Sequence, residues 1–443
     1  MPTTPRLPPA RPLAHGALVA LAALLLQGLL IANPGYFSHD ELQWAARAAA
    51  RADAGWADTA ALQWRPLTFE LWMRLSRAFF DAPRLFHLAF AVLGTANVLL
   101  LWSLLRRAGV EERTAAIAAL AFAASPFAMY VHGWVATLGD LLWVGCALAI
   151  GHVALRGRDA AVAAAVLVLT GAALLAKEAA LSIPAIAAVL AVLDLRRRRT
   201  WAIATGAGTL VAMAYLAVRY PALSAPRPGD AYAWSLAHGP VRWLEYQLYI
   251  AQPRVFEVHN VLAGRGLPGH GLVAVAGLAW AAATHALRGR PRLLAGWLLG
   301  GAAALGPVLV LAQGATQYGY GFAAWGAGVF ALAWPGLPRA GRVAVAVFAF
   351  LAVAHGLAVA WQMHRVGRVQ ARFVESVLPV LAGSPGPVRL APAPGADGWI
   401  FQRVTHEVPT YHGQPFSPRI RLVAPDEPAD YRILADGRLE PVR

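Results

Sequence analysis

The sequence predicts an all-α polytopic membrane protein, and three observations carry the prediction. Of 443 residues, 58% are apolar and only 14% are charged, whereas soluble domains run near 45–50% and about 25%. The apolar residues gather in runs of roughly 15–22, close to the ~20 that one helix needs to cross a bilayer core. Short arginine-bearing breaks separate the runs. This pattern excludes a soluble enzyme, a disordered scaffold and a coiled coil. The net charge of +15 belongs to the same pattern, because the arginines punctuate apolar runs instead of forming one basic polar domain; nucleic acid is therefore no partner. Cys146 is the only cysteine, which leaves no disulfide framework and no thiolate metal site.

About eleven runs read as spans: 14–32, 85–105, 114–131, 138–155, 160–176, 179–193, 200–219, 271–287, 293–313, 320–335 and 343–362. The first follows Arg6 and Arg11 and lacks a small-residue cleavage site before Asn33-Pro34-Gly35, so it is expected to be a retained span. Arg106, Arg107 and Arg113, then Arg156 and Arg158, Arg196 to Arg199, Arg288, Arg290 and Arg292, and Arg339 and Arg342 fall in connections on one side. The alternate connections near Val131–Thr137 and Gly314–Gly319 contain no arginine. Arginine bias sets orientation, so the amino terminus is expected in the cytoplasm of a cell with this chain in its inner (plasma) membrane, and the carboxyl terminus outside.

Two long segments, 33–84 and 220–270, then face outward. In the first, Leu71-Trp72, Leu75 and Phe79-Phe80 recur at helical spacing; in the second, Trp243-Leu244, Leu248 and Tyr249 do so. Both stretches are too polar to span and read as amphipathic helices at the membrane surface. From about Phe373 the pattern shifts to Pro, Gly and short alternation, as in Val388-Arg389-Leu390, Ile420–Val423 and Tyr431–Leu434. The chain accordingly divides into a membrane domain, 1–370, and a small extracytoplasmic α/β or β domain, 371–443.

Chemistry must come from the few ionisable residues near the outer ends of spans. Ser38-His39-Asp40-Glu41 has the spacing of a capping box, with Glu41 reaching back to the helix start. Asp40 is not needed for that box, so it is either a helix-start acid favoured by the dipole or a general base where lipid meets water. Asp140 enters an otherwise apolar span and needs a partner or a cavity. With Asp40 it would put two carboxylates on one membrane face, able to take a proton and position an acceptor, or to hold a divalent cation such as Mg or Mn. Lys177, the only lysine in the chain, precedes Glu178 between two short runs. The pair is either a buried ion pair or a point charge for phosphate oriented by Glu178. Arg65, Arg219, Arg242 and Arg254 are further outer-loop cations able to grip phosphate. His87, His132, His259 and His270 have no metal-ligand spacing and read as hydrogen-bonded bystanders. The sequence carries no glycine-rich phosphate loop, and ATP-driven chemistry has no visible machinery.

Taken in order, Phe37-Ser38-His39-Asp40-Glu41, Trp64-Arg65-Pro66-Leu67-Thr68, Phe86-His87-Leu88, Ser125-Pro126, Gly139-Asp140-Leu141-Leu142, Leu175-Ala176-Lys177-Glu178, Ile183-Pro184 and Leu193-Asp194-Leu195 give the chain a resemblance to a family. It resembles the polytopic, lipid-carrier-dependent glycosyltransferases of the GT-C fold, in particular the protein O-mannosyltransferase and aminoarabinose-transferase-like group. The resemblance implies an acidic catalytic base in the first outer loop, falling on Asp40, and a second acid from the next outer loop, falling on Asp140. It also implies a sugar donor on a polyprenyl phosphate or diphosphate, the phosphate held by Lys177 with Arg65 and Arg254. Relatives carry an Arg-Tyr pair in a late outer loop, where this chain reads Thr316-Gln317-Tyr318-Gly319-Tyr320 without the arginine; the tetratricopeptide tail of some relatives is also absent.

The expected activity is inverting transfer of a sugar from the lipid-linked donor to a lipid, glycan or protein acceptor on the outer face, among membrane lipids. An activated donor leaves the protein to orient the acceptor, remove its proton and stabilise the leaving phosphate. A transporter or flippase of lipid-linked sugars is the alternative, expected to show broken helices at midplane and internal repeats. A polymerase or ligase using the same donors is a third reading, expected to place its key residues in a large late loop.

Overall fold

The computed structural model describes residues 12–156, 158–225, 232–262 and 267–442. Arg6 and Arg11, along with parts of the 220–270 segment, lie outside the described residues. The chain is mostly helical. The first apolar run folds as α1 (Pro12–Leu26) and a short α2 (Gly28–Ile31). The long segment that follows contains α3 (His39–Ala49) and α4 (Pro66–Phe79), both amphipathic, before the long apolar α5 (Pro83–Arg107). Next come α6 (Glu112–Ala123) and α7 (Pro126–Gly133), bent by 57° at their junction. Pro126 cannot donate to the preceding turn, and Ser125 restarts the helix by accepting the Ala128 N–H at 3.3 Å.

A tight turn, Val135–Thr137, leads into α8 (Leu138–Ala154), which packs along α9 (Asp159–Ala176). After the turn Glu178–Leu181 come α10 (Ser182–Leu193) and α11 (Arg198–Ser224). The second long segment contains the amphipathic α12 (Gly239–Tyr249), followed by α13 (Leu267–Ala286). Then α14 (Pro291–Ala295) and α15 (Gly301–Leu305) are joined through a π-helical stretch, Gly296–Gly300. The membrane part ends with α16 (Tyr320–Ala333) and the 45-residue α17 (Arg339–Gly383).

Among the described residues, six helices are long and apolar enough to cross a membrane, and the bent α6–α7 pair would make a seventh. The eleven apolar runs expected as spans fall mainly in helices, but several are interrupted or short. The first is broken at Gln27, and α16 has only 14 residues. An apolar run in sequence does not guarantee an unbroken helix. Large apolar side chains such as Leu210, Met213 and Phe350 face outward, as expected of helices that are hydrophobic all round and meet lipid.

The arginine-bearing connections gather at one end of the bundle and are cross-paired there. Arg106 meets Glu112 at 3.3 Å, His15 meets Glu112 at 2.9 Å and Arg199 meets Asp159 at 2.9 Å. The opposite end carries α3, α4 and the small domain.

Helix α17 continues unbroken through residue 370 to Gly383, so the composition shift near Phe373 precedes the end of the helix. Beyond it lie β1 (Val388–Pro392), α18 (Gly398–Thr405), β2 (Thr410–Tyr411), β3 (Gln414–Pro415), β4 (Ile420–Leu422), β5 (Tyr431–Ile433) and β6 (Leu439–Pro441). The sheet order is β4-β1-β5-β6, with β1 parallel to both neighbours and β6 antiparallel at the edge. The three alternating stretches seen in the sequence are β1, β4 and β5. This domain is clamped to the membrane part. The Gln43 amide donates to the carbonyls of His406 and Glu407, each at 3.1 Å. Gly437, at φ +95°, lies directly against the backbone of α17 at Val369 and Phe373, where a side chain has no room.

Candidate active site

Asp140 lies in the first turn of α8, a helix long and apolar enough to span, and its side chain is fully buried. It is there because α8 approaches α9 closely at Gly139. A Cβ at that glycine would sit 2.8 Å from the Ala176 carbonyl and 3.3 Å from the Lys177 Cβ. Thr68 of α4 completes the junction by donating its hydroxyl to the Ala176 carbonyl at 2.8 Å. Lys177 caps α9 in an extended conformation (φ −163°, ψ 139°), which turns its side chain away from the helix and onto Asp140. Its ammonium pairs with Asp140 Oδ2 and stands 4.8 Å above the Tyr318 ring.

Next in the chain, Glu178 accepts from Arg65 Nε at 2.8 Å, with both side chains more than four-fifths buried. Arg65 is the residue before Pro66, at the start of α4. Four charged groups from three distant stretches therefore converge: Arg65, Asp140, Lys177 and Glu178. Isolated charges cannot be held in such surroundings; paired ones can, if the geometry is good.

A second cluster forms around α3. Glu41 is completely buried and closes the capping box. Its carboxyl oxygens accept the N–H groups of Ser38 at 2.8 Å and Phe37 at 3.3 Å. Burial, reinforced by the neighbouring Asp40, pushes its carboxyl up to about 8. Glu41 is thus occupied in shaping the helix start. Asp40 points the other way; its side chain is 30% exposed and lies 3.4 Å from His39 Nε2. The His39 ring, edge-on to His406 at 4.9 Å, is held below its ordinary value by burial, partly opposed by Asp40.

Above this cluster sits Arg403 of α18. Its guanidinium lies 4.2 Å from the centre of the Phe37 ring and 5.4 Å from that of Trp134, and 3.6 Å from Glu257 Oε1. Glu257 is also held by the Tyr130 hydroxyl at 2.8 Å and the Thr316 hydroxyl at 3.4 Å. Arg403, Glu257, His406 and the Tyr318 ring are contributors that the sequence reading did not single out. Only Tyr318 left a signal, in the late-loop stretch where the arginine was missing.

The expected pairing of Asp40 with Asp140 is not formed. Asp140 is engaged by Lys177 and Asp40 by His39, with no shared partner. The elements linking the two clusters are aromatic: Trp44 of α3 stacks edge-on against Trp72 at 5.1 Å, and the Trp72 indole donates to the Val135 carbonyl at 2.6 Å, just before α8. Two sites side by side, not one carboxylate dyad, occupy this end of the bundle.

The remaining outer-loop arginines separate by role. Arg219 is fully buried, donates to the carbonyls of Thr59 and Leu62, and lies against Trp64, so it anchors the first long loop. Arg242 pairs with Glu245 at 2.5 Å. Arg254 is exposed and makes no ion pair among the described residues, so the structure does not bring it to Lys177. His87 bonds the Gly35 carbonyl at 2.9 Å, and His132 bonds the Tyr320 hydroxyl at 3.0 Å.

Asp140 and Glu178 are each paired with a cation and Glu41 with backbone donors, whereas Asp40 faces the His39 ring. Among the described residues no group of three or more His, Cys, Asp or Glu is arranged around a common point for a metal ion.

No family model matches this chain, and comparison with curated proteins finds no matching relative.

Proposed function

We propose that this protein is an integral-membrane glycosyltransferase that moves a sugar from a polyprenyl-phosphate donor onto an acceptor, with inversion. The convergence of Arg65, Asp140, Lys177 and Glu178 at one end of an apolar bundle is the observation that carries the reading. Ionisable residues at membrane depth are costly and mark function by default. A lipid-linked donor needs such a place, because its carrier stays in the bilayer while its phosphate and sugar emerge at the surface. Lys177 and Arg65 are the cations for the phosphate. Asp140 and Glu178 hold them in position and keep the site folded when no donor is bound.

Asp40, 30% exposed in the neighbouring cluster around α3, is the general base in this reading. It takes the proton of the acceptor hydroxyl or amine as that atom attacks the anomeric carbon. The bond from the anomeric carbon to the phosphate oxygen breaks, and the leaving phosphate carries the electron pair toward the two cations. Glu41 serves by fixing the start of α3. The face carrying α3, α4 and the small domain would be extracytoplasmic and the arginine-bearing face cytoplasmic, by the distribution of arginine. The shorter apolar helices would then complete about eleven crossings, through thinning of the bilayer or by packing within the bundle.

The bent α6–α7 pair and the π-helical stretch before α15 are the kind of breaks a transporter uses. The charged groups lie at helix ends instead of at these breaks, which favours transfer. The test is mass spectrometry of envelope glycans and glycoproteins from cells with the gene, without it, and with Asp40→Asn. The expected result is a sugar modification that is lost without the gene and not restored by the variant. Full restoration by Asp40→Asn removes Asp40 from the mechanism, and an unchanged envelope in the deletion removes the reading.

A further inference from the structure

A cavity of about 480 Å³ runs from the arginine-bearing end of the bundle as far as Trp143, one helical turn from Asp140, between α5, α8, α10, α14 and α16. Pockets of roughly 300–1,000 Å³ hold small organic molecules. Away from its mouth the lining is apolar, mostly aliphatic with Trp143, Trp201 and Trp325. The deep end is closed where the Trp143 ring packs directly on Gly321, both buried. From there the cavity follows α8 to Leu155 and α16 to Leu332. At 1.5 Å per residue that is roughly 16–18 Å, about half of the ~30 Å hydrocarbon core. It is one leaflet deep.

The mouth differs from the walls. Asp194, Arg196, Arg197 and Arg292 line it. Asp194 is already matched: Arg197 lies 3.5 Å away, and the Trp201 indole donates to it at 3.1 Å. Arg196 and Arg292 are exposed and make no ion pair among the described residues. The mouth therefore presents uncompensated positive charge at the end of a greasy slot.

We propose that this slot seats an acyl chain of an anionic phospholipid from the leaflet on the arginine-bearing side, its phosphate resting against Arg196, Arg197 and Arg292. Depth, lining and charge each match one part of such a lipid. An aliphatic chain fills a slot one leaflet deep, and basic pockets between membrane helices take anionic headgroups. A polyprenyl-phosphate donor is the wrong occupant, since its phosphate would lie at the end of the bundle away from Lys177 and Arg65.

The test is native mass spectrometry of the delipidated full-length protein, incubated with dioleoylphosphatidylglycerol or dioleoylphosphatidylcholine alone, and with phosphatidylglycerol and a polyprenyl phosphate together. Two variants accompany the wild type. Gly328 lines the slot, and a Cβ there would lie 3.9 Å from its nearest neighbour, Leu105; Gly328→Leu therefore extends into the space without a clash at Cβ. The double variant Arg196→Gln/Arg292→Gln removes the unpaired charge and keeps the slot. Thermal unfolding in lipid-free detergent checks that both variants are folded.

The wild type is expected to retain one phosphatidylglycerol with about tenfold preference over phosphatidylcholine. Gly328→Leu should lose most of the bound lipid of either kind, and the arginine variant should lose the preference while still binding. Equal retention of both phospholipids by the wild type, undiminished binding by Gly328→Leu, or displacement of the phosphatidylglycerol by polyprenyl phosphate would each overturn the proposal. The assay contains no sugar, so its outcome is independent of the transferase reading.

Discussion

Lys177→Met, Asp140→Asn and the double variant together ask whether the buried ion pair is only structural. The Asp140 side chain is completely buried and that of Lys177 nearly so. Removing one partner strands a charge away from water, which costs about 3–5 kcal/mol. Removing both strands nothing, so the double variant should be more stable than the sum of the single losses predicts, by up to about 3 kcal/mol. For domains of 150–250 residues, 1 kcal/mol shifts the melting temperature by about 2–4 °C, and by less in a chain of this size. Each single variant should therefore melt several degrees low in detergent, with the double variant between them and the wild type. Binding of a polyprenyl phosphate to the same samples supplies the second readout. If Lys177 grips phosphate, the double variant recovers stability without recovering binding. Additive stability losses would refute the coupling, and recovery of binding along with stability would refute the phosphate role.

Three further outcomes are expected. Arg403→Gln should lower transfer through disorder at the Phe37, Trp134 and Glu257 contacts, weakening each cation–π contact by about 0.5–2 kcal/mol while the small domain's circular dichroism is unchanged; full activity would detach Arg403 from the site. Burial holds Glu41 near 8 against an ordinary 4.5. The folded state therefore binds its proton more tightly, and this contribution is complete below pH 4.5 and lost as pH rises through 8. Wild-type stability should fall by at most about 1.4 kcal/mol per pH unit across that window, and Glu41→Gln should flatten the profile of melting temperature against pH. Gly139→Ala should cost about 1–3 kcal/mol, because its methyl meets the Ala176 carbonyl; it should also weaken polyprenyl phosphate binding by shifting Asp140 from Lys177, and unaltered binding would show the junction to be loose.

Much of the local architecture was readable along the chain. The two amphipathic segments appear as α4 and α12, and the alternating stretches near the carboxyl end as β1, β4 and β5. Ser38 and Glu41 form the capping box their spacing suggested. Each of these is set by residues within a few positions of one another. The count of spans was less legible, because composition does not register where Gln27 or Ser125-Pro126 interrupts a helix.

The sequence by itself determined that the chain is a helical bundle for an apolar medium, with arginine in the short connections at one end and the candidate ionisable residues at the other. Hydrophobic periodicity and the cost of unpaired charge act locally, so they can be read locally. Only the tertiary structure decided which charges meet. It gave Asp140 to Lys177 instead of Asp40, spent Glu41 on the start of α3, left Arg254 exposed and brought Arg403 from the far end of the chain onto Phe37. A partner for a charge is selected by which helices can approach closely, as at Gly139, and that depends on packing between segments far apart in sequence.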